Sequence, residues 1–295
     1  MRIGYPCINR GIGCSTNSTF RLASYTDERL VEKVGNNLDC LLKTLQYNVK
    51  HGLFFFRISS DVVPFASHPV CTYDWPGHFR GHFRKIGEFI REHNIRISMH
   101  PDQFVIINAL KDNVVEASIR ELEYHCTLLD EMELDGTAKI QIHLGGVYGD
   151  KVSAIDRFIE RYNSLGMSLK SRLVIENDDK SYSLEDCLSV YQKIGIPILF
   201  DVFHHQCLHN GETFRQGLEL SASTWEKSNG IPMVDYSSQQ RGQRVGSHAR
   251  TLNATLFKKF LHETRGLDFD LMLEIKDKET SALKALKILK EKRYI

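Results

Sequence analysis

Short apolar runs rich in β-branched and aromatic residues alternate along the chain with longer stretches whose apolar residues fall at helical spacing. The strand-like runs lie at 2–7, 53–59, 95–100, 139–144, 172–176, 196–201, 231–236 and 270–275. Between them, Leu30, Val31, Val34, Leu38, Leu41, Leu42 and Leu45 form one helical stripe. Ile119, Leu122, Leu128 and Leu129 form a second, and Ile155, Phe158, Ile159, Tyr162 and Leu165 a third. Helix starts are signalled by Thr26-Asp27-Glu28 and by Ser183 with Glu185 and Asp186. Gly52, Gly136, Gly195, Gly230 and Gly266 fall near predicted helix ends, where a glycine often terminates the last turn. Eight strands alternating with eight helices over 295 residues predict an α/β fold, a single-domain (β/α)8 TIM barrel spanning 1–295. A doubly wound open sheet is the rival, because periodicity alone does not count strands.

In such a barrel the C-terminal strand ends carry the chemistry. The predicted strands end in His100, His143, Glu176, Asp201, Asp235 and Glu274. Side chains alternate along a strand, so His100 shares a face with Ser98, and His143 with Gln141. Their apolar neighbours take the opposite face. If the apolar set faces the helices, these six polar residues converge on the barrel mouth. His204 and His205 follow the sixth strand, and His248 the seventh. Taken singly, each reads more readily as a helix cap, an ion-pair member or a core histidine. Four carboxylates and, with His205 set aside, four imidazoles on one rim point instead to a metal site with more donors than one ion uses. The mixture of His, Asp and Glu suits zinc, manganese, iron or cobalt and not calcium. Two or three such ions side by side would suit phosphoryl displacement. His51, His68, His93, His125 and His262 read as ordinary core, helix or loop residues, and His205 and His209 fit either role.

Composition adds bounds to this picture. Lysine and arginine total 38 against 37 acids, for a formal charge of +1, which excludes a histone-like binder but not a local basic face. The segment 9–27 carries Arg10 and Arg21, and 239–250 carries Arg241, Arg244 and Arg250 with no acid. Both predicted loops lie on the metal rim and suit a phosphate backbone, and Lys276 and Lys278 extend the same face. The seven cysteines are scattered with no CxxC pair and an odd total, which predicts reduced, mostly buried thiols in a cytoplasmic protein. No charged-then-apolar leader opens the sequence, and no apolar run approaches the roughly 20 residues of a membrane span.

Several of these stretches together resemble the UV damage endonucleases: IGYPCIN (3–9), MHPDQF (99–104), the strand ending in His143 before Leu-Gly-Gly, IEND (175–178) and FDVFHH (200–205). The resemblance runs from the first strand to the eighth. It implies a barrel like that of endonuclease IV with two or three divalent ions. Manganese is the usual ion; zinc, cobalt or magnesium are alternatives. It also implies incision of the phosphodiester immediately 5′ to a UV photoproduct, leaving a 3′-hydroxyl and a 5′-phosphate. The implied ligands are His100, His143, Glu176, Asp201, His204, His248 and Glu274, with Glu176, Glu274 and His100 catalytic. One stretch departs: where family members commonly read Lys-x-His near the end of strand seven, this chain reads Met233-Val-Asp235. Asp235 retains an oxygen donor and is expected as an eighth ligand. The resemblance further assigns Gln103 and Phe104 as a wedge pushed into the duplex, with Tyr5 and Asn9 receiving the flipped bases. Arg10, Arg241 and Arg244 would contact the backbone. The expected partner is damaged double-stranded DNA, bound by a monomer that would associate with the nucleoid and no membrane. The lesions implied by the resemblance are pyrimidine dimers and 6-4 photoproducts, with abasic sites a further variant. Two rivals remain: a metal-dependent sugar isomerase or epimerase of the same barrel class, and an inactive damage-binding protein.

Overall fold

In the computed structural model, which describes residues 1–291, eight parallel strands close into a barrel in sequence order, β1 pairing with β8. They are β1 (Ile3–Pro6), β2 (Phe55–Ile58), β3 (Arg96–Met99), β4 (Lys139–His143), β5 (Leu173–Glu176), β6 (Ile198–Asp201), β7 (Met233–Tyr236) and β8 (Asp270–Leu273). Each lies inside its predicted run. Closure removes the open-sheet alternative. The outer helices are α1 (Asp27–His51), α2 (Trp75–Glu92), α3 (Asp112–Glu131), α4 (Lys151–Ser164), α6 (Leu184–Ile194), α8 (Phe214–Ala222), α9 (Ala254–Glu263) and α10 (Glu279–Glu291). Two short helices, α5 (Met167–Arg172) and α7 (Val202–Cys207), add to the eight expected.

The helix signals act as chemistry requires. Thr26 accepts from the Arg29 amide at the start of α1, and Ser183 with Asp186 forms a reciprocal capping box on α6. Gly52 ends α1 in the left-handed region at φ 75°. The three stripes fall on α1, α3 and α4, where Leu30, Val34, Leu38, Leu41 and Leu45 are buried against the barrel.

Inside the barrel, Phe55, Val174, Leu199, Met233 and Met272 form a separate apolar layer. Alternation along the strands puts Arg57, Glu176, Asp201, Asp235 and Glu274 on the same inward face, one residue pair nearer the mouth. The apolar layer is thus the floor on which the polar site stands. Gly4 on β1 pairs with Phe55, and a Cβ there would lie 2.1 Å from the Phe55 carbonyl oxygen. At the opposite end, Lys139 is buried and donates to the Ser171 carbonyl and to Asn229 Oδ1, both at 2.7 Å. Burial, with help from Arg96 and Arg172, lowers its pKa to about 8.

The thiol expectation needs correction. Cys14, in the loop after β1, is disulfide-bonded to Cys40 of α1, and Cys7, Cys71, Cys126, Cys187 and Cys207 are free. Only Cys126 and Cys187 of the free thiols are buried. The 26-residue separation gives no sequence signal. The pair meets because the loop lies along α1, where Asn37 accepts from the Ser18 amide and donates to the Ser18 carbonyl.

Two stability measurements test the scaffold. Gly4→Ala should destabilise the barrel by roughly 1–3 kcal/mol in denaturant melts, because β1 cannot move from Phe55 without breaking its ladder. Lys139 binds its proton less tightly folded, at about 8, than unfolded, at its usual 10.5, so the unfolded chain holds more protons between those values. Stability relative to Lys139→Met should therefore rise as pH increases from about 8 to about 10.5, and a flat difference would contradict this placement.

Candidate metal centre at the barrel mouth

The barrel gathers the strand-end residues as their parity requires. Glu176 closes β5, His143 closes β4, and His100 follows β3. His143 Nε2 lies 2.8 Å and His100 Nε2 3.3 Å from the same Glu176 oxygen. Burial opposes ionisation of Glu176, but His143 and His100 outweigh it and hold the carboxyl well below its usual range. Asp201, at the end of β6, caps α7 by accepting from the His204 amide at 2.7 Å. Asp235 on β7 is fully buried, and Glu274 follows β8. Donor atoms of His100, His143 and Glu176 lie within 4.8 Å of one another, as do carboxylate oxygens of Glu176, Asp201 and Asp235.

Two histidines are held in a ligand-ready tautomer. His204 donates from Nδ1 to the Asn177 carbonyl, and His248 from Nδ1 to the Glu274 carbonyl, each at 3.0 Å. A carbonyl can only accept, so Nδ1 carries the hydrogen and Nε2 presents a lone pair, the usual preparation of a metal-binding imidazole. The rings are neighbours, with His143 and His204 centroids 5.8 Å apart and His204 and His248 6.0 Å apart. Burial works against protonation of His204, but Asp201, Glu176 and Glu274 raise its pKa to about 9. The negative potential of the acids is thus strong enough to draw a proton where a cation would sit. These residues fit a divalent metal.

Three residues of the site were not anticipated. Arg57 of β2, inside the barrel, donates from Nη2 to both Asp235 oxygens at 2.8 and 2.7 Å and from Nη1 to Glu274. Gln141 of β4 accepts from Arg57 at 2.6 Å and donates to Glu176 at 2.6 Å and to Asp235 at 2.8 Å. Asn177 exchanges bonds with the backbone of Asp201 at 2.9 and 3.0 Å, tying β5 to β6. A charged residue in the middle of the apolar run FFRI was the signal for Arg57. For Glu274, burial again opposes charge, and Arg57 with His248 brings its pKa down to about 2. Asp235 moves the other way: burial raises it, against Arg57, with help from the neighbouring carboxylates.

The expected DNA-facing residues divide. Gln103 and Phe104 sit exposed on the loop after β3, and Phe104 is 58% accessible, an apolar ring held in solvent beside the site. Arg10, Arg241 and Arg244 are exposed. The loop bearing the last two is braced by Gln239, whose side chain donates to the carbonyls of Gln240, Gln243 and Arg244. Tyr5 is fully buried between the barrel and α1, where its hydroxyl donates to Asn48 at 2.6 Å. Asn9 is also buried and donates to that hydroxyl at 2.8 Å. Outward parity on β1 turns Tyr5 toward α1, and its bond with Asn9 ties the following loop to the barrel. His205 turns away from the centre, bonding the Glu212 carbonyl at 2.9 Å, and His209 lines the same outer pocket. An open cleft of about 490 Å³ lies over the cluster, bounded by His100, Gln103, His143, His248 and Glu274.

With this geometry in place, the comparisons with known proteins are specific. The chain is 38% identical over 293 residues to a UV DNA damage endonuclease of Clostridium perfringens, covering 99% of this chain and 71% of that protein. The crystal structure of SacUVDE superposes with a TM-score of 0.96 at 44% identity over the full length of both chains. Endonuclease IV from Thermus thermophilus shares the fold, with a TM-score of 0.61 at 15% identity over 85% of this chain and 93% of that one. The family described as UV-endonuclease UvdE matches residues 1–295, and the chain belongs to that family of DNA repair endonucleases.

Proposed function

We propose that this protein incises duplex DNA at the phosphodiester immediately 5′ to a UV photoproduct, leaving a 3′-hydroxyl and a 5′-phosphate, with divalent ions held at the barrel mouth. The observation that carries this reading is the set of imidazole nitrogens aimed at buried carboxylates in a cleft open enough for a nucleic-acid backbone. His100, His143 and Glu176 would hold one ion, and Asp201, His204, His248 and Glu274 a neighbouring one. Manganese fits this nitrogen-and-oxygen donor set. When bound, the ions supply Lewis acidity and neutralise charge that builds on the phosphoryl oxygens.

The chain's own residues supply the rest. Damaged pyrimidines stack poorly and cost less to extrude than intact ones, so a wedge discriminates by that difference. Phe104 provides the apolar face for the opened step, with Gln103 beside it to hydrogen-bond exposed base edges. Arg10, Arg241 and Arg244 fix the phosphate register across the mouth. The floor network holds Glu176 and Glu274 ionised and oriented before DNA arrives, so no reorganisation is required as charge develops.

Glu176→Gln should reduce manganese-dependent nicking of a duplex carrying one pyrimidine dimer by at least about 100-fold, with lesion binding retained in a gel-shift assay. Unchanged turnover would remove Glu176 from the centre. Phe104→Ala should weaken lesion binding by about 1–3 kcal/mol with the manganese content unaltered, and Phe104→Tyr should restore it. Equal binding by all three proteins would exclude the wedge.

A further inference from the structure

The floor of the centre already contains a cation. Arg57 is 2% exposed, and its guanidinium bridges Asp235 and Glu274 while also donating to Gln141. Both Asp235 oxygens accept from Arg57, and Oδ2 accepts also from Gln141 Nε2. Three of the four lone-pair directions of Asp235 are therefore aimed at fixed N–H donors, with both on Oδ2 taken. An ion ligated there would face the guanidinium and the amide hydrogens of Gln141 at contact distance. Below it lies only the apolar layer of Phe55, Leu199 and Met233, which offers no donor oxygen or imidazole.

We infer that Arg57 is a built-in substitute for a metal ion: it neutralises Asp235 and the inner side of Glu274, closes the floor to metal, and limits the centre to two ions in the upper tier. The inference rests on the metal-dependent reading above and removes Asp235 from the expected ligand set. Although the oxygens of Glu176, Asp201 and Asp235 lie close enough to share an ion, two of the three carboxylates on that side of the floor are already bonded to Arg57 or Gln141. A guanidinium differs from an ion in a useful respect. It is planar, permanently charged and covalently attached, so it orients Asp235 and Glu274 without exchanging with solvent. Chelators that strip the upper tier would leave this charge in place. Arg57 is thus a positioning residue for Glu274, acting from beneath the ions.

Metal counting by inductively coupled plasma mass spectrometry, after loading the full-length chain with manganese chloride and desalting, tests the assignment. Wild-type protein should retain two manganese ions per chain. Folded Arg57→Ala, verified by near-ultraviolet circular dichroism, should retain three, because its Asp235 and Glu274 are released into a vacated volume. Arg57→Lys keeps a fixed cation and should return the count to two, as should Arg57→Ala combined with Asp235→Asn. Three ions in the wild type, or an unchanged count in folded Arg57→Ala, would overturn the inference. If the alanine variant does not fold, the wild-type count decides, two sustaining the inference and three overturning it. Zero ions in the wild type would instead contradict the metal-dependent function on which the inference stands.

Discussion

The governing constraint is the confinement of four carboxylates, Glu176, Asp201, Asp235 and Glu274, at one end of a closed barrel. Burying even one ionised carboxylate unpaired is costly, and a cluster of like charges is costlier still. The surroundings answer this charge in layers. Arg57 and Gln141 bond it from below, His100 and His143 press on Glu176 from the side, and His204 of α7 and His248 of the loop after β7 face Asp201 and Glu274. The opposite displacements of Glu274, brought down to about 2, and Asp235, raised by burial, show an acid cluster short of positive charge. Divalent ions held there, as in the proposed function, would supply what is missing.

That demand explains the scaffold beneath it. Charged groups can be held inside a barrel only if the strands cannot slide. A one-residue slip would send Glu176 and Asp235 into the helix layer and bring apolar neighbours to the mouth. The compact floor of Phe55, Val174, Leu199, Met233 and Met272, and the close contact at Gly4, pin that register. Asn177 then couples β5 to β6 through the Asp201 backbone while its own carbonyl orients His204. One residue thus links the frame to the chemistry, although it donates nothing to an ion itself.

The sequence made the barrel and the rim readable because both depend on short-range rules. Strand parity places His100, His143, Glu176, Asp201, Asp235 and Glu274 without knowledge of any contact, and capping residues fix helix starts. What stayed hidden depends on pairs distant in sequence. Arg57 meets Asp235 from 178 residues away, and Gln141 meets it from 94. Cys14 and Cys40 lie 26 residues apart without a spacing motif. The burial of Tyr5 follows from a short-range rule, since its parity on β1 turns it toward α1 and Asn48.

On this reading the acid cluster is a metal centre with a guanidinium floor. Anomalous X-ray diffraction at the manganese edge, from crystals grown with manganese chloride, tests it most directly. One peak is expected beside His100, His143 and Glu176, a second among Asp201, His204, His248 and Glu274, and none between Arg57 and Asp235. A structure with no peak at the barrel mouth, or with an ion seated on Asp235, would contradict it.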